Sequence, residues 1–135
     1  VVLCSGKVYY DLVQERRERG IRDIAILRVE QLYPFPRRGL SALLAVYAQA
    51  NEIVWCQEEP RNQGAWYQIQ HHLRLLVGEN QSLAYAGRAP SASPACGDAG
   101  LHRTQQRALI DSALSETMVD DPGERLQDTD THMRL

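Results

Sequence analysis

The sequence predicts an α/β fold of three layers, with a mostly parallel sheet between two layers of helices. Two observations carry this. Short apolar runs, at residues 1–5, 24–29, 53–56 and 82–86, alternate with stretches whose apolar residues recur at helical spacing. The joints between them are short, and a strand–helix–strand unit with short joints makes its strands parallel, with a right-handed crossover. Length agrees: 135 residues, 44% of them hydrophobic, suffice for one domain with its own core.

Residues 1–5 (VVLCS) form a short apolar run that ends at Ser5-Gly6, as a strand buried on both faces would. In residues 7–19, Val8, Tyr9, Leu12 and Val13 make one helical stripe. Glu15 to Arg19 are a solvated last turn, and Gly20 suits the position after the helix. Residues 24–29 (IAILRV) are the second strand. Tyr33-Pro34-Phe35-Pro36 interrupts it with two prolines, which fix φ and remove donors, so an extended loop follows. Leu40, Leu43, Leu44 and Tyr47 then mark a second helix.

Residues 53–56 are the third strand, followed by a polar turn over 57–64. Trp66, Ile69, Leu73, Leu76 and Val77 share one face of the next helix, which Gly78 ends. Residues 82–86 are a weaker fourth strand. Residues 87–100 (GRAPSASPACGDAG) read as a long irregular connection, the kind of ordered loop that is often functional. The last helix, 102–116, turns Leu109, Ile110, Ala113 and Leu114 inward. The domain therefore covers 1–116. Residues 117–135, with Asp120, Asp121, Glu124, Asp128 and Asp130 among few apolar residues, read as a disordered acidic tail. A chain that opens inside a strand, without an initiator Met, reads as part of a longer polypeptide whose sheet has an earlier strand.

A formal net charge of −2 gives no bulk field for nucleic acid or an anionic membrane, and no apolar run is long enough to span a bilayer. Cys4, Cys56 and Cys96 are far apart and lack metal-site spacing, so reduced thiols are expected. Cys4 and Cys56, inside apolar strands, read as inert. Ser5-Gly6-Lys7 lies at a strand-to-helix turn, where backbone N–H groups attract anions and a lysine adds charge. Neither a P-loop nor a dinucleotide fingerprint is present, so a capped turn is the plainer reading. Glu58 and Glu59 sit at a strand's carboxyl end, where ligands meet parallel sheets. Neighbours in an extended segment point to opposite sides, which suits capping, ion pairing or an interface better than a shared proton. His71 and His72 lack a ligand four residues on, so they read as helix-flank residues. His102 reads as a support for the 87–100 loop, with Ser91 and Ser93 shaping it. Arg88 follows the fourth strand, able to grip a phosphate or carboxylate, or to pair with Glu58, Glu59 or Asp98. No complete catalytic set emerges.

Five segments together are recognisable: VVLCSGKVYYDL (1–12), IAILRVEQLYPFP (24–36), VWCQEEPRNQGAW (54–66), YAGRAPSASPA (85–95) and HRTQQRALIDSAL (102–114). In this order they resemble the carboxyl-terminal domain of the 2-oxoglutarate dehydrogenase E1 component, a thiamine-diphosphate enzyme. Related 2-oxoadipate dehydrogenases share the outline, but NQGAW and GRAPSASPA suit the 2-oxoglutarate type. The resemblance implies a transketolase C-terminal-like fold of five strands, one of them antiparallel and preceding Val1.

It also implies that the whole enzyme, part of the tricarboxylic acid cycle, decarboxylates 2-oxoglutarate and succinylates the lipoyl group of its E2 partner, dihydrolipoyl succinyltransferase. Thiamine diphosphate and Mg²⁺ are held by earlier catalytic domains, so this chain binds no cofactor alone and contributes no catalytic residue. Its implied role is to pack on those domains and extend a homodimer. Residues 53–66 then become the joint to them, with Glu58, Glu59, Asn62, Gln63 and Trp66 as its interface. Some family members bind acetyl-CoA or a nucleotide such as AMP near the SGK turn. Carried over, the contacts would be Ser5, Lys7 and Arg88, with Gln57 and Arg61 nearby. The implied location is the bacterial cytoplasm, or the mitochondrial matrix in a eukaryote. The alternative is a free-standing module that senses such a ligand. The long acidic tail and Cys96 depart from the family's pattern.

Overall fold

The structure, a computed structural model, describes residues 1–93 and 97–115. Eight elements alternate: β1 (Val2–Cys4), α1 (Val8–Glu18), β2 (Ile26–Arg28), α2 (Arg37–Val46), β3 (Glu52–Pro60), α3 (Trp66–Leu76), β4 (Ser82–Arg88) and α4 (Ala99–Ala113). The four described strands are all parallel, in the order β2-β1-β3-β4. The α/β reading therefore holds, and the sheet has the mostly parallel character the alternation implied.

Side chains alternate across a strand, and here that splits the core in two. Val2, Cys4, Val54, Cys56 and Ala86 face one side, against Val8 and Leu12 of α1 and Leu109, Ile110 and Ala113 of α4. Leu3, Ile53 and Trp55 face the other, against Leu40 and Leu44 of α2 and Trp66, Ile69 and Leu73 of α3. Sheet and two helical layers make the three layers. Because β1 and β3 are covered on both faces, they are apolar without alternation, and that is why they stood out in the sequence.

Several boundaries differ from expectation, each for a local reason. The third strand does not stop at 56. It runs on through Glu58 and Glu59 to Pro60, with a register shift between Cys56 and Pro60. Pro60 has no N–H to give a ladder, and such an irregularity is where a strand tolerates one. The polar turn is thus shorter than 57–64, and Gly64 closes it at φ +64°. The second strand shrinks to three residues. The second helix begins immediately after Pro36, earlier than its first apolar residue. The last helix starts at Ala99 because Asp98 caps it, its carboxylate accepting from the Leu101 N–H at 2.8 Å. The fourth strand continues to Arg88 through Gly87, where a Cβ would collide with the Tyr85 hydroxyl. The acidic tail at 117–135 and Cys96 lie outside the described residues.

Candidate functional site

A parallel sheet gathers its strand carboxyl ends on one edge, and there the chain forms a cleft of about 500 Å³. The turn after β1 supplies Lys7, the end of β3 supplies Glu58, Glu59 and Pro60, and β4 with its following loop supplies Arg88 to Ser91 and Ser93. The first turns of α4 close it with Leu101, His102 and Gln105.

Lys7, Glu58 and Arg88 in this cleft already have partners. Lys7 Nζ donates to a Glu58 carboxylate oxygen at 2.7 Å, and that bond raises the Lys7 pKa. The same oxygen accepts from Gln106 Nε2 at 2.9 Å. Arg88 is held by four acceptors: the Glu58 carbonyl, Gln105 Oε1 (3.2 Å), Gln106 Oε1 (3.0 Å) and His102 Nδ1 (3.3 Å). Arg88 therefore joins β4 to β3 and α4 through neutral acceptors, rather than through the carboxylates suggested by its position. His102 supports Arg88 with its ring. Lys7 remains 74% exposed, and such an ion pair yields readily to a competing anion.

The Ser5-Gly6-Lys7 turn is filled from within. The Gly6 N–H donates to the Glu30 carboxylate at 3.1 Å, and Arg28 Nε reaches the same oxygen at 2.5 Å. The backbone donor first, and the guanidinium second, hold the Glu30 carboxyl below its usual range. The attraction for an anion expected at this turn is real, and an internal carboxylate answers it.

Gln57 is buried and lies beneath the cleft rather than in it. Its Oε1 accepts from Trp55 Nε1 (2.9 Å) and from the Trp66 N–H (3.0 Å). Its Nε2 donates to the carbonyls of Glu59, Pro60 and Gln63 at 2.8–3.2 Å. One amide thus ties β3, the turn after it and the start of α3. The Arg61 guanidinium lies 5.1 Å from the Tyr85 ring centre. Burial pushes the Tyr85 hydroxyl's pKa upward, and that hydroxyl donates to the Arg88 carbonyl at 3.2 Å.

Of the expected contacts, the structure brings Lys7 and Arg88 into one cleft and leaves Ser5, Gln57 and Arg61 off its lining. Of the residues expected at an interface, Glu58 and Glu59 line the cleft. Asn62 and Gln63 reach across to Ser91: Asn62 exchanges a pair of 2.9 Å bonds with its backbone, and Gln63 donates to its carbonyl at 3.1 Å. Ser91 Oγ in turn accepts from the Ser93 N–H, the loop-shaping role read from the sequence. Trp66 is only 2% exposed and belongs to the core, not to a surface.

Sequence reasoning missed Glu30, Gln105 and Gln106. Gln106 lies three and four residues before Leu109 and Ile110, so the helical period alone places it on the inner face. Glu30 had no local signal, because its partner is 24 residues away.

Cys4 and Cys56 are fully buried; burial pushes the Cys4 thiol up to about 12 and the Cys56 thiol higher still. His72 stacks on Phe35 at 4.7 Å and accepts from Arg37 Nε at 3.0 Å, a structural use that fits its place on the helix flank. Among the described residues no group of three or more His, Cys, Asp or Glu side chains is placed to hold a metal ion.

Comparison with known proteins gives one consistent result. Residues 1–114 match the family described as 2-oxoglutarate dehydrogenase C-terminal. The chain is 53% identical over 116 residues to the 2-oxoglutarate dehydrogenase E1 component of Cupriavidus necator, covering 86% of this chain and 12% of that protein. It is 52% identical over 118 residues to that of Azotobacter vinelandii, covering 85% and 12%. Over 115 residues it is 53% identical to that of Haemophilus influenzae, with the same shares covered. The chain thus spans about an eighth of the length of these relatives.

Proposed function

The chain belongs to the 2-oxoglutarate dehydrogenase C-terminal family, and we propose that it serves as the C-terminal domain of an E1 component. In this reading the whole enzyme decarboxylates 2-oxoglutarate and passes the succinyl group to the lipoyl group of an E2 partner, in the cytoplasm of a bacterium. The observation that carries it is the family match across residues 1–114, the same span that forms the sheet and its four helices.

Thiamine diphosphate, which such an enzyme uses, does not fit the residues described. A divalent cation for its diphosphate needs a set of oxygen ligands. Of the two acids lining the cleft, Glu58 is committed to Lys7 and Gln106, and Glu59 alone does not make such a set. The cofactor and Mg²⁺ accordingly belong to other parts of the enzyme, and this domain's contribution is support. Its strand carboxyl edge meets the catalytic domains through Glu58, Glu59, Asn62 and Gln63, and it extends the contact between two E1 subunits.

A graft tests this. Residues 1–116 would replace the matching segment of the Azotobacter vinelandii relative. The chimera is expected to keep 2-oxoglutarate-dependent turnover and its dimeric state. A folded chimera that loses both sinks the reading.

The cleft supports a second reading, because two cations, Lys7 and Arg88, line it together. An anionic group such as a phosphate of acetyl-CoA or AMP would take Lys7 from Glu58. Calorimetry of the chimera with each compound checks this. Binding that Lys7→Ala leaves untouched removes Lys7 from the role.

A further inference from the structure

The start of α2 carries charge of the wrong sign. The first turn of a helix is partly positive, and an acid or a capping side chain usually answers it. Helix α2 begins instead with Arg37 and Arg38. No acid lies in its first turn, and Pro36 before it makes no side-chain cap. Two cations thus sit where the backbone is already positive. One of them is answered from another element.

That answer is His72. Ile69 and Leu73 of α3 belong to the core, which leaves His72 on the flank toward the start of α2. Its Nδ1 lies 3.0 Å from Arg37 Nε. An arginine side chain always keeps its proton, so the guanidinium donates and Nδ1 accepts. The imidazole is therefore neutral, with its proton on Nε2. Phe35 stacks on the ring at 4.7 Å, with 3° between the planes. The Phe35 carbonyl also accepts from the Arg37 N–H at 2.9 Å, so loop, helix start and imidazole are tied together. Two groups act on His72 by their charge: His71 on its own helix, with ring centres 4.0 Å apart, and Arg37 from α2. Among the described residues no carboxylate joins them.

Such a bond exists in one protonation state. A proton on Nδ1 removes the acceptor and sets a further positive charge beside Arg37 and His71. Only the Phe35 ring favours the protonated form, through cation–π attraction, so the stack outlasts the bond. We propose that His72 is a proton-operated latch on Arg37. The neutral ring holds the guanidinium against α3. The protonated ring, still on Phe35, releases it to solvent at the uncapped start of α2. Partial burial first, then His71 and Arg37, keep the His72 pKa below its ordinary value. The latch is therefore shut at neutral pH and opens in acid, where Arg37 and Arg38 stand free beside a charged ring.

Nuclear magnetic resonance on the full 135-residue chain tests this through two signals. The His72 ring reports its own titration, and the Arg37 Nε–H reports the bond. As pH falls, the Arg37 signal is expected to move in one step that shares the His72 midpoint, below the ordinary value of about 6.5. Arg37→Met, which removes both donor and charge, is expected to raise the His72 midpoint toward about 6.5. In His72→Phe, which keeps a ring against Phe35 but has no acceptor, the Arg37 signal is expected to stay level with pH. Unchanged Trp55 and Trp66 indole signals would show that both variants are folded. An Arg37 signal indifferent to pH in the unaltered chain would overturn the proposal, and so would one that follows His71 instead; neither result needs a variant. A step that persists in folded His72→Phe, or a His72 midpoint that folded Arg37→Met leaves in place, would also overturn it.

Discussion

At the scale of single residues, Gln57 matters most, and its importance comes from burial. Among the described residues it is the one buried polar side chain, and both ends of its amide are engaged. Gln57→Leu keeps the volume but strands the Trp55 indole N–H, the Trp66 backbone N–H and the turn carbonyls. Each buried group left unsatisfied costs about 1–3 kcal/mol. The variant is therefore expected to lose about 2–4 kcal/mol of stability, measured by urea unfolding. A loss below about 1 kcal/mol would mean that water replaces the amide. Lys7→Ala, by contrast, removes an exposed partner and is expected to change stability by less than about 1 kcal/mol. The sequence showed the residue types at this edge but not their division of labour. Gln57 and Lys7 were both read as ligand contacts, because nothing local separates a buried amide from an exposed ammonium. Burial does so, and it depends on chain brought from positions 63 and 66.

At the scale of elements, what could be read was what repeats. The helical stripes at Val8 and Leu12, Leu40 and Leu44, and Ile69 and Leu73 predicted α1, α2 and α3, and the apolar runs predicted all four strands. What could not be read was how far β3 extends. Glu58, Glu59 and Pro60 are poor strand formers, yet the Arg61 N–H reaches the Arg88 carbonyl at 3.0 Å and pairing with β4 carries the strand through them. The turn beyond depends on Gly64. Its φ is +64°, and an added Cβ would come within 3.0 Å of Gln57 Nε2 and Glu59 Cβ. Gly64→Ala thus adds backbone strain to a clash with the residue that holds the turn. It is expected to destabilise by more than the about 1 kcal/mol of a positive-φ change alone. Asp98→Ala is milder: losing one cap costs about 1 kcal/mol, and hydrogen exchange is expected to quicken at Leu101 while the sheet stays protected. Equal quickening throughout would place the cap inside the global folding unit.

At the scale of the molecule, β1 and β3 are neighbours at the centre of the sheet, and Cys4 and Cys56 sit opposite each other in their register. Neither thiol is exposed, so the molecule must open through its centre before either reacts. This links cysteine chemistry to global stability. Burial raises both thiols' pKa values in the folded state, Cys4 to about 12 and Cys56 further. In the unfolded chain a thiol ionises near its ordinary value of about 8.5. The sign follows. Below about pH 8.5 both states keep these protons and the stability they confer is fully present. Above it the unfolded state releases protons that the folded state retains, so stability falls as pH rises toward the folded values. The slope is about 1.4 kcal/mol per pH unit for each thiol, and the raised Tyr85 hydroxyl adds to it above about pH 10. Urea midpoints between pH 8 and pH 11 are expected to decline on this slope, and Cys4→Ala with Cys56→Ala is expected to flatten it even if the variant starts less stable. Alkylation of the two thiols is expected to follow the same global opening, at one shared rate. A fast-reacting Cys4 or Cys56 at neutral pH would show that the sheet's centre opens locally, and an equal decline without the thiols would assign the pH dependence to other groups.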